Sequence, residues 1–166
     1  MKIALTGHRP ERLGLPEDVA APEWEDIRNW IRSQLIELKA DQVYVGMAAG
    51  SDMALGYVAA QLKQEGFPIN ITCVLPCTGY GSTTPHYEFV YSRANEVVTM
   101  EEKWTPDCDN KRDQYMADHC DVMLSIFDGH KKGGVWSTIK KTRRQEKRIY
   151  FCPAELLNPD VYKEDI

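Results

Sequence analysis

The chain has 166 residues, of which 43% are hydrophobic and 27% are charged, and its formal net charge is −5. This length suits one domain with its own core, and no apolar run approaches the roughly 18 to 20 residues of a transmembrane helix. The N-terminal apolar segment is far too short for a signal peptide, so we expect a soluble cytoplasmic protein that makes no membrane contact.

The first predicted strand covers residues 2–6 and runs into a short polar loop. Thr6, Gly7, His8 and Arg9 follow one another at this point. The glycine permits a tight turn, and the arginine offers a planar set of donors that matches phosphate or carboxylate. We predict that these four residues contact an anionic ligand, with a surface ion pair between Arg9 and Glu11 as the alternative.

A helix precedes the second predicted strand, which covers residues 42–46. Apolar residues recur in this helix at steps of three and four, as expected for one buried helix face. They are Trp24, Ile27, Ile31, Leu35 and Leu38.

The second strand leads through a turn of small residues into a helix predicted over residues 51–65. Such a turn directs free backbone N–H groups towards the space above the strand, where the helix dipole favours negative charge. We therefore predict an anion-binding turn formed by Gly46, Ala48, Gly50 and Ser51. Asp52 either accepts hydrogen bonds from a ribose hydroxyl or base amine or merely complements the dipole. Close packing of helix on strand explains the small residues equally well.

A third strand is predicted over residues 70–75 and a third helix from Thr84 or Pro85 to residue 94. The loop between them, residues 76–85, is rich in glycine and hydroxyl residues, as mobile lids and specificity walls often are. Tyr80 or Tyr87 in this region either stacks on a base or belongs to the core.

The fourth and fifth strands are predicted over residues 96–100 and 121–127, with a helix between them. Asp109 or Asn110 is the expected N-cap of that helix, which carries Arg112. After the fifth strand, Asp128 and Gly129 precede the pair Gly133 and Gly134, and this loop again allows a ligand to approach the backbone. We predict that the loops after the first, second and fifth strands form one ligand crevice.

The segment Lys131–Arg148 concentrates positive charge, with eight basic residues against one acid. A fifth helix, residues 135–147, and a sixth strand, residues 149–152, are predicted here. The charge indicates either a solvated helix face, whose cations favour the helix C-terminus, or a contact for phosphate or nucleic acid.

The alternation of strand-length apolar runs with helix-period segments predicts an α/β protein. We expect a single Rossmann-like, doubly wound, mainly parallel sheet with helices on both faces. The domain covers residues 1–152, and residues 153–166 form a C-terminal tail packed on or near it.

Five cysteines are present, and none belongs to a Cys-x-x-Cys pair. We predict buried free thiols. A zinc site formed by Cys108, His119 and Cys120 matches no standard spacing, so no metal is expected.

Four motifs together resemble a known family. They are Thr6-Gly7-His8-Arg9-Pro10, the segment from Gly46 to Ala54, Asn110-x-Arg112-x-x-Tyr115-Met116, and Asp128-Gly129 with Gly133-Gly134. The chain is similar to the YpsA-like branch of the SLOG superfamily, which also includes the DNA-processing protein DprA/Smf and the lysine decarboxylase-like LOG proteins. The resemblance implies a Rossmann-like fold that binds nucleotides or nucleotide-derived ligands as a sensor.

One departure from the LOG proteins bears on activity. LOG phosphoribohydrolases carry Pro-Gly-Gly-x-Gly-Thr-x-x-Glu, whose glutamate takes part in catalysis. Here the matching stretch begins at Gly133-Gly134 and has Lys140 near the position of that acid. Hydrolysis by that mechanism is therefore not expected, and no catalytic residue is assigned.

Three functions remain open. The first is binding or sensing of a nucleotide-like small molecule, without a required cofactor, with Arg9 and Arg112 as charge partners and Asp52 and Asp128 contacting hydroxyls. The second is an enzyme on the same crevice, with Asp52, His8 or Asp128 as acid or base. The third is a DprA-like nucleic-acid binder that uses Lys131–Arg148. Homo-oligomerisation also remains open.

Overall fold

The computed structural model describes residues 1–158, whose six strands form one parallel sheet. The strand order is β4-β3-β2-β1-β5-β6, and each strand is hydrogen-bonded to its neighbours. Ile3 in the central strand pairs with Val43 on one side and with Val122 on the other. The strands are β1 (Lys2–Gly7), β2 (Gln42–Val45), β3 (Asn70–Cys77), β4 (Glu96–Glu101), β5 (Val122–Ile126) and β6 (Arg148–Phe151).

Helices cover both faces of this sheet, as the alternating pattern predicts. They are α1 (Pro10–Leu13), α2 (Glu25–Glu37), α3 (Ser51–Gln64), α4 (Tyr87–Tyr91), α5 (Cys108–His119) and α6 (Gly133–Arg144). Helices α2, α3 and α4 pack on one face, and α5 and α6 contact each other on the other face.

The side chains of the four inner strands alternate between two cores, because successive residues of a strand point to opposite sheet faces. Ile3 and Leu5 belong to the larger core, together with Ile31 of α2. Ala4 of the same strand belongs to the smaller core with Met116 of α5. The doubly wound fold is therefore confirmed.

The strand order reverses between β1 and β5. From β1 the chain adds β2, β3 and β4 on one side of β1, and it then returns to add β5 and β6 on the other side. In open parallel sheets this switch point leaves a crevice beyond the carboxyl ends of the strands. The loops that follow β1, β2 and β5 all lie at this end of the sheet.

Several predicted boundaries were wrong. Helix α4 covers only Tyr87–Tyr91 and begins after His86, which adopts a left-handed conformation with φ of 71°. Helix α5 starts at Cys108 with Asp107 as N-cap, so neither Asp109 nor Asn110 caps it. Helix α1, absent from the prediction, begins at Pro10, whose fixed φ suits a first helical turn.

The predicted tail lies partly outside the described residues. Ala154–Leu156 forms one 3-10 turn, and Leu157 is buried in the larger core, while positions 159–166 are not among the described residues. Within residues 1–158, no helix has the length and apolar character needed to cross a membrane.

Candidate ligand-binding cleft

A cleft of about 530 Å³ opens at the switch point between β1 and β5. This volume is within the range of small-molecule sites, roughly 300 to 1,000 Å³. The carboxyl end of β1, the turn after β2, and the beginnings of α5 and α6 form its walls. The cleft is lined by Leu5, Thr6, Gly7, His8, Arg9, Arg12, Ala48, Asp52, Asp109, Arg112, Asp113, Met116, His130, Lys132, Gly133, Gly134 and Val135.

The small residues of the turn after β2 serve close packing. A Cβ atom on Gly7 would lie 2.4 Å from Cβ of Ser51, and one on Gly50, where φ is 88°, would lie 2.8 Å from Cδ of Pro10. The backbone N–H and the hydroxyl of Ser51 both donate to the carbonyl oxygen of His8, at 3.2 and 2.7 Å. The first amide of α3 is thus used within the protein, which favours the packing alternative for this turn.

Asp52 and Arg112 form a buried charged pair at the floor of the cleft. Nη1 of Arg112 lies 4.0 Å from Oδ2 of Asp52 and donates to the carbonyl oxygen of Gly46 at 2.7 Å. A Cβ atom on Gly46 would lie 2.5 Å from Oδ2 of Asp52. Gly46 is therefore needed because any side chain at this position would collide with the carboxylate.

Burial raises the pKa of Asp52 to about 6, and the negative charge of Asp113 adds to this effect while Arg112 opposes it. The Ala48 N–H also stabilises the charged form by donating to Oδ2 of Asp52 at 3.3 Å. Asp52 thus faces the cleft as a carboxylate that titrates just below neutral pH. Such perturbed groups concentrate at functional sites.

Four cationic side chains line the cleft, and they differ in their partners. Arg112 donates through Nε to Asp113 at 2.7 Å, and Arg12 donates to Asp128. Arg9 instead donates to the hydroxyl of Tyr80 at 2.9 Å. Among residues 1–158, neither Arg9 nor Lys132 forms an ion pair with a carboxylate, so both keep their charge available to an anion.

Asp128 lies behind the cleft wall rather than in it. Its side chain is fully buried. Nε2 of His8 lies 3.0 Å from Oδ1 of Asp128, and Nε of Arg12 contacts Oδ2. It also accepts the backbone N–H of His130 at 2.9 Å. Although burial raises the pKa of Asp128, the His130 N–H and the Arg12 guanidinium outweigh this effect and lower it below its ordinary value. Asp128 therefore joins the loops after β1 and β5.

The N-terminus of α6 opens onto the cleft. Gly133, where φ is 82°, has open space where a Cβ would stand, and Lys132 at the N-cap makes no capping hydrogen bond through its side chain. Within residues 1–158, the N–H groups of Gly133, Gly134 and Val135 have no hydrogen-bond partner. Uncapped first-turn amides of this kind bind phosphate and carboxylate groups.

The structure brings most of the predicted site residues together. Those that line the cleft are Thr6, Gly7, His8, Arg9, Ala48, Asp52, Arg112, Gly133 and Gly134. Those outside the lining are Gly46, Gly50, Ser51, Asp128 and Gly129. Sequence reasoning missed five polar lining residues: Arg12, Asp109, Asp113, His130 and Lys132. Three of them, Asp113, His130 and Lys132, are adjacent in sequence to a predicted site residue.

The basic segment Lys131–Arg148 presents a second polar surface around one aromatic ring. Lys131, Lys140 and Arg143 place their charged groups 5.7 to 5.8 Å from the ring centroid of Trp136. Arg143 also lies over Phe151, whose side chain is 42% exposed on the edge strand β6. Lys141 is buried, so not all of the positive charge faces solvent.

Metal-ligating groups do not converge within the described part of the chain. No group of three or more histidine, cysteine, aspartate or glutamate residues in residues 1–158 is arranged to hold a metal ion. All five cysteines are buried and free, as predicted.

Comparison with known families agrees with the motifs. The model described as the YspA SLOG family matches residues 3–160, nearly the whole chain, and this match confirms the resemblance to the YpsA-like branch. Comparison with curated proteins gave no match.

Proposed function

We propose that this chain, which belongs to the YspA SLOG family, is a cytoplasmic binding or sensing protein for a nucleotide or nucleotide-derived ligand. The observation that carries the proposal is the uncapped N-terminus of α6, which shares one cleft with the two cations that lack a carboxylate partner, Arg9 and Lys132. The five free, buried thiols support a reducing compartment.

The α6 side of the cleft suits the phosphate. Amides of Gly133 and Gly134 supply aligned donors, and Arg9 and Lys132 supply positive charge. Charge-assisted hydrogen bonds of this kind are about twice as strong as neutral ones. Carboxylates do not suit phosphate, so the anionic group binds away from Asp52. Asp113, whose Oδ2 lies 4.0 Å from a Cβ placed on Gly134, has its charge compensated by the Arg112 guanidinium.

The opposite side of the cleft suits the sugar or base. Asp52 is held by Ala48 and Arg112, and its carboxylate accepts hydrogen bonds from hydroxyl or amine groups. We propose that Asp52 contacts a ribose hydroxyl or a base amine, while Arg112 positions Asp52.

Calorimetric titration with AMP, ADP, ADP-ribose and cyclic dinucleotides tests this function. At least one of these should bind, and Arg9→Ala should weaken it by about tenfold or more, the loss expected for one hydrogen bond to a charged group. Arg32→Ala is the matched control, because Arg32 pairs with Glu65 in a surface salt bridge elsewhere. If the whole panel fails to bind, or both variants weaken binding equally, the proposal is wrong.

Turnover of the ligand is a second candidate, favoured by the carboxyl of Asp52 with its pKa of about 6. A group that titrates near neutral pH serves as a general acid or base. Chromatography of a confirmed ligand after prolonged incubation separates the two functions, since a binding protein returns the ligand intact. Product formation that is lost in Asp52→Asn would establish the enzyme.

Nucleic-acid binding is a third candidate, favoured by the cations around Trp136. Aromatic rings flanked by lysine and arginine are typical of surfaces that bind single strands by stacking and charge.

A further inference from the structure

A second cavity, which we term the annex, adjoins the cleft beyond Arg9. It has a volume of about 290 Å³ and shares Arg9 and Ala48 with the cleft. Its remaining lining residues are Glu11, Glu17, Ala49, Tyr80, Gly81 and Thr84. None of these belongs to the phosphate-binding or sugar-binding groups proposed above.

Arg9 and Tyr80 meet where the two cavities adjoin, since Arg9 lines both cavities and Tyr80 lines the annex. The Arg9 guanidinium donates to the Tyr80 hydroxyl at 2.9 Å, and the guanidinium carbon of Arg112 lies 5.7 Å from the centroid of the Tyr80 ring. Tyr80 is thus in contact with two arginines of the cleft while its own side chain lines the annex.

The loop that carries Tyr80 is fitted closely against the turn after β2. A Cβ atom on Gly81, where φ is 75°, would lie 2.6 Å from the carbonyl oxygen of Met47. Two turn hydrogen bonds, from Tyr80 N–H to the Cys77 carbonyl at 3.2 Å and from Thr84 N–H to the Gly81 carbonyl at 2.9 Å, hold its shape. The fold therefore holds the loop that carries Tyr80 in place, and only glycine fits at its closest contact with the turn after β2.

The two cavities differ in charge. The annex sets the carboxylates of Glu11 and Glu17 against the single cation Arg9. The cleft has more cations than carboxylates and also the α6 amides; its charged residues are Arg9, Arg12, Arg112, Lys132, Asp52, Asp109 and Asp113. Carboxylates repel a phosphate but accept hydrogen bonds from hydroxyl and amine groups. An uncharged sugar suits the annex, and a phosphate does not.

We infer that the ligand has two heads joined through phosphate: a nucleoside in the cleft and an uncharged, hydroxyl-rich group in the annex. Arg9 lines both cavities, so it contacts the linking phosphate. This inference rests on the proposed function and adds the class of ligand, a nucleotide whose terminal phosphate is esterified with a sugar. Free nucleotides fill the cleft alone.

Calorimetric titration of the full chain with ADP and with ADP-glucose tests this inference. The glucose ester should bind about tenfold more tightly than ADP, even though it carries less negative charge. In Glu17→Gln the ratio of the two affinities should fall towards one, because a neutral amide is a weaker acceptor for sugar hydroxyls. Glu25→Gln, at the start of α2 and outside both cavities, should retain the wild-type ratio.

The outcomes separate the two proposals. If ADP binds and glucose adds no affinity, or if Glu17→Gln retains the full ratio, the inference is wrong and the proposed function stands. If neither compound binds and the wider nucleotide panel also fails, both are wrong. Thermal melting of Glu17→Gln verifies its fold, and the exposed position of Glu17 makes a folding defect unexpected.

Discussion

The guanidinium of Arg112, on α5, donates to the carbonyl oxygen of Gly46, at the end of β2, over a distance of 2.7 Å. The same nitrogen lies 4.0 Å from Asp52. This hydrogen bond joins α5, on one face of the sheet, to the turn that leads into α3 on the other face. The charge of Asp52 therefore affects both stability and the shape of the cleft.

The first prediction concerns pH and Asp52. Its pKa is raised from 3.8 to about 6 in the folded chain, so the folded state holds this proton more tightly than the unfolded state. The stabilisation is complete below pH 3.8 and is lost as the pH rises through 6. Relative to Asp52→Asn, the wild type should lose about 2 kcal/mol of unfolding free energy between pH 4.5 and pH 7.

Urea unfolding of both proteins at the two pH values provides the measurement. The difference between them removes contributions from other titrating groups. A difference that stays constant with pH would mean that the pKa of Asp52 is not raised.

The second prediction concerns Gly133 at the entrance of α6. Alanine there adopts a left-handed conformation with φ of 82°, which costs roughly 1 kcal/mol. We expect Gly133→Ala also to weaken nucleotide binding, since relief of this strain moves the first amides of α6. Gly66→Ala is a matched control, because Gly66 also has a positive φ, of 101°, and open space around it.

Unfolding free energies and calorimetric affinities of both variants test this. The role of the α6 amides would be supported if both variants lose similar stability and only Gly133→Ala loses nucleotide affinity. Equal affinities in the two variants would contradict it.

The third prediction concerns the ion pair between Arg12, whose side chain is 35% exposed, and the fully buried Asp128. Removal of Arg12 leaves a fully buried carboxylate without its guanidinium, so Arg12→Ala should destabilise the chain by about 3 kcal/mol. The pKa of Asp128 should rise towards or above its ordinary value. Asp128→Asn should then destabilise the Arg12→Ala background less than it destabilises the wild type.

Chemical unfolding of the four proteins completes this double-mutant cycle. Additive effects would show that Arg12 and Asp128 do not interact energetically. Hydrogen exchange of the amides after β1 and β5 would report whether the two loops separate when the pair is broken.

The fourth prediction concerns Trp136 and its cations. If this surface binds single-stranded nucleic acid, fluorescence anisotropy should detect an oligonucleotide at low salt, with an affinity that falls steeply as salt increases. Trp136→Ala should weaken binding by roughly 1 to 3 kcal/mol, the range for loss of one stacked base.

Trp104→Ala serves as the control for this measurement, because Trp104 is 65% exposed and lies beyond the end of β4, at the other edge of the sheet. Undetectable binding at low salt, or equal losses in the two variants, would eliminate this candidate. Analytical ultracentrifugation of the same samples would determine whether the chain forms homo-oligomers.

The sheet could be predicted because its strands are local apolar runs with clear breaks. All six predicted strands are confirmed within two residues at each end, and helices α2 and α3 follow from apolar residues that recur at helical spacing. Helix α4 was predicted too long because Pro85 suits a first helical turn. His86 instead adopts a left-handed conformation, and the helix begins at Tyr87 and ends before its C-cap Ser92.

The partners of the charged residues could not be predicted, because they are set by contacts distant in the sequence. Arg12 and Asp128 are separated by 116 positions, and Arg112 and Gly46 by 66. The sequence placed Asp128 correctly after β5, but burial by His8 and Arg12 depends on how two loops meet. Likewise, the Ser51 N–H donates to the His8 carbonyl, whereas the N–H groups of Gly133 and Gly134 face the cleft without a partner among the described residues. This difference depends on which loop packs over each helix start, and the local sequence does not show it.

The contrast between Ser51 and Gly133 bears on how this cleft diverges among relatives. The contact between β1 and the start of α3, at Gly7, Gly50 and Ser51, has no free volume, so substitutions there are penalised through folding whatever ligand is bound. The wall at Gly133 and Gly134 has open space, so a side chain there displaces no core atom, and its cost is limited to the left-handed backbone strain at Gly133. New ligand preferences should therefore arise on the α6 wall, while the packing between β1 and α3 stays constant.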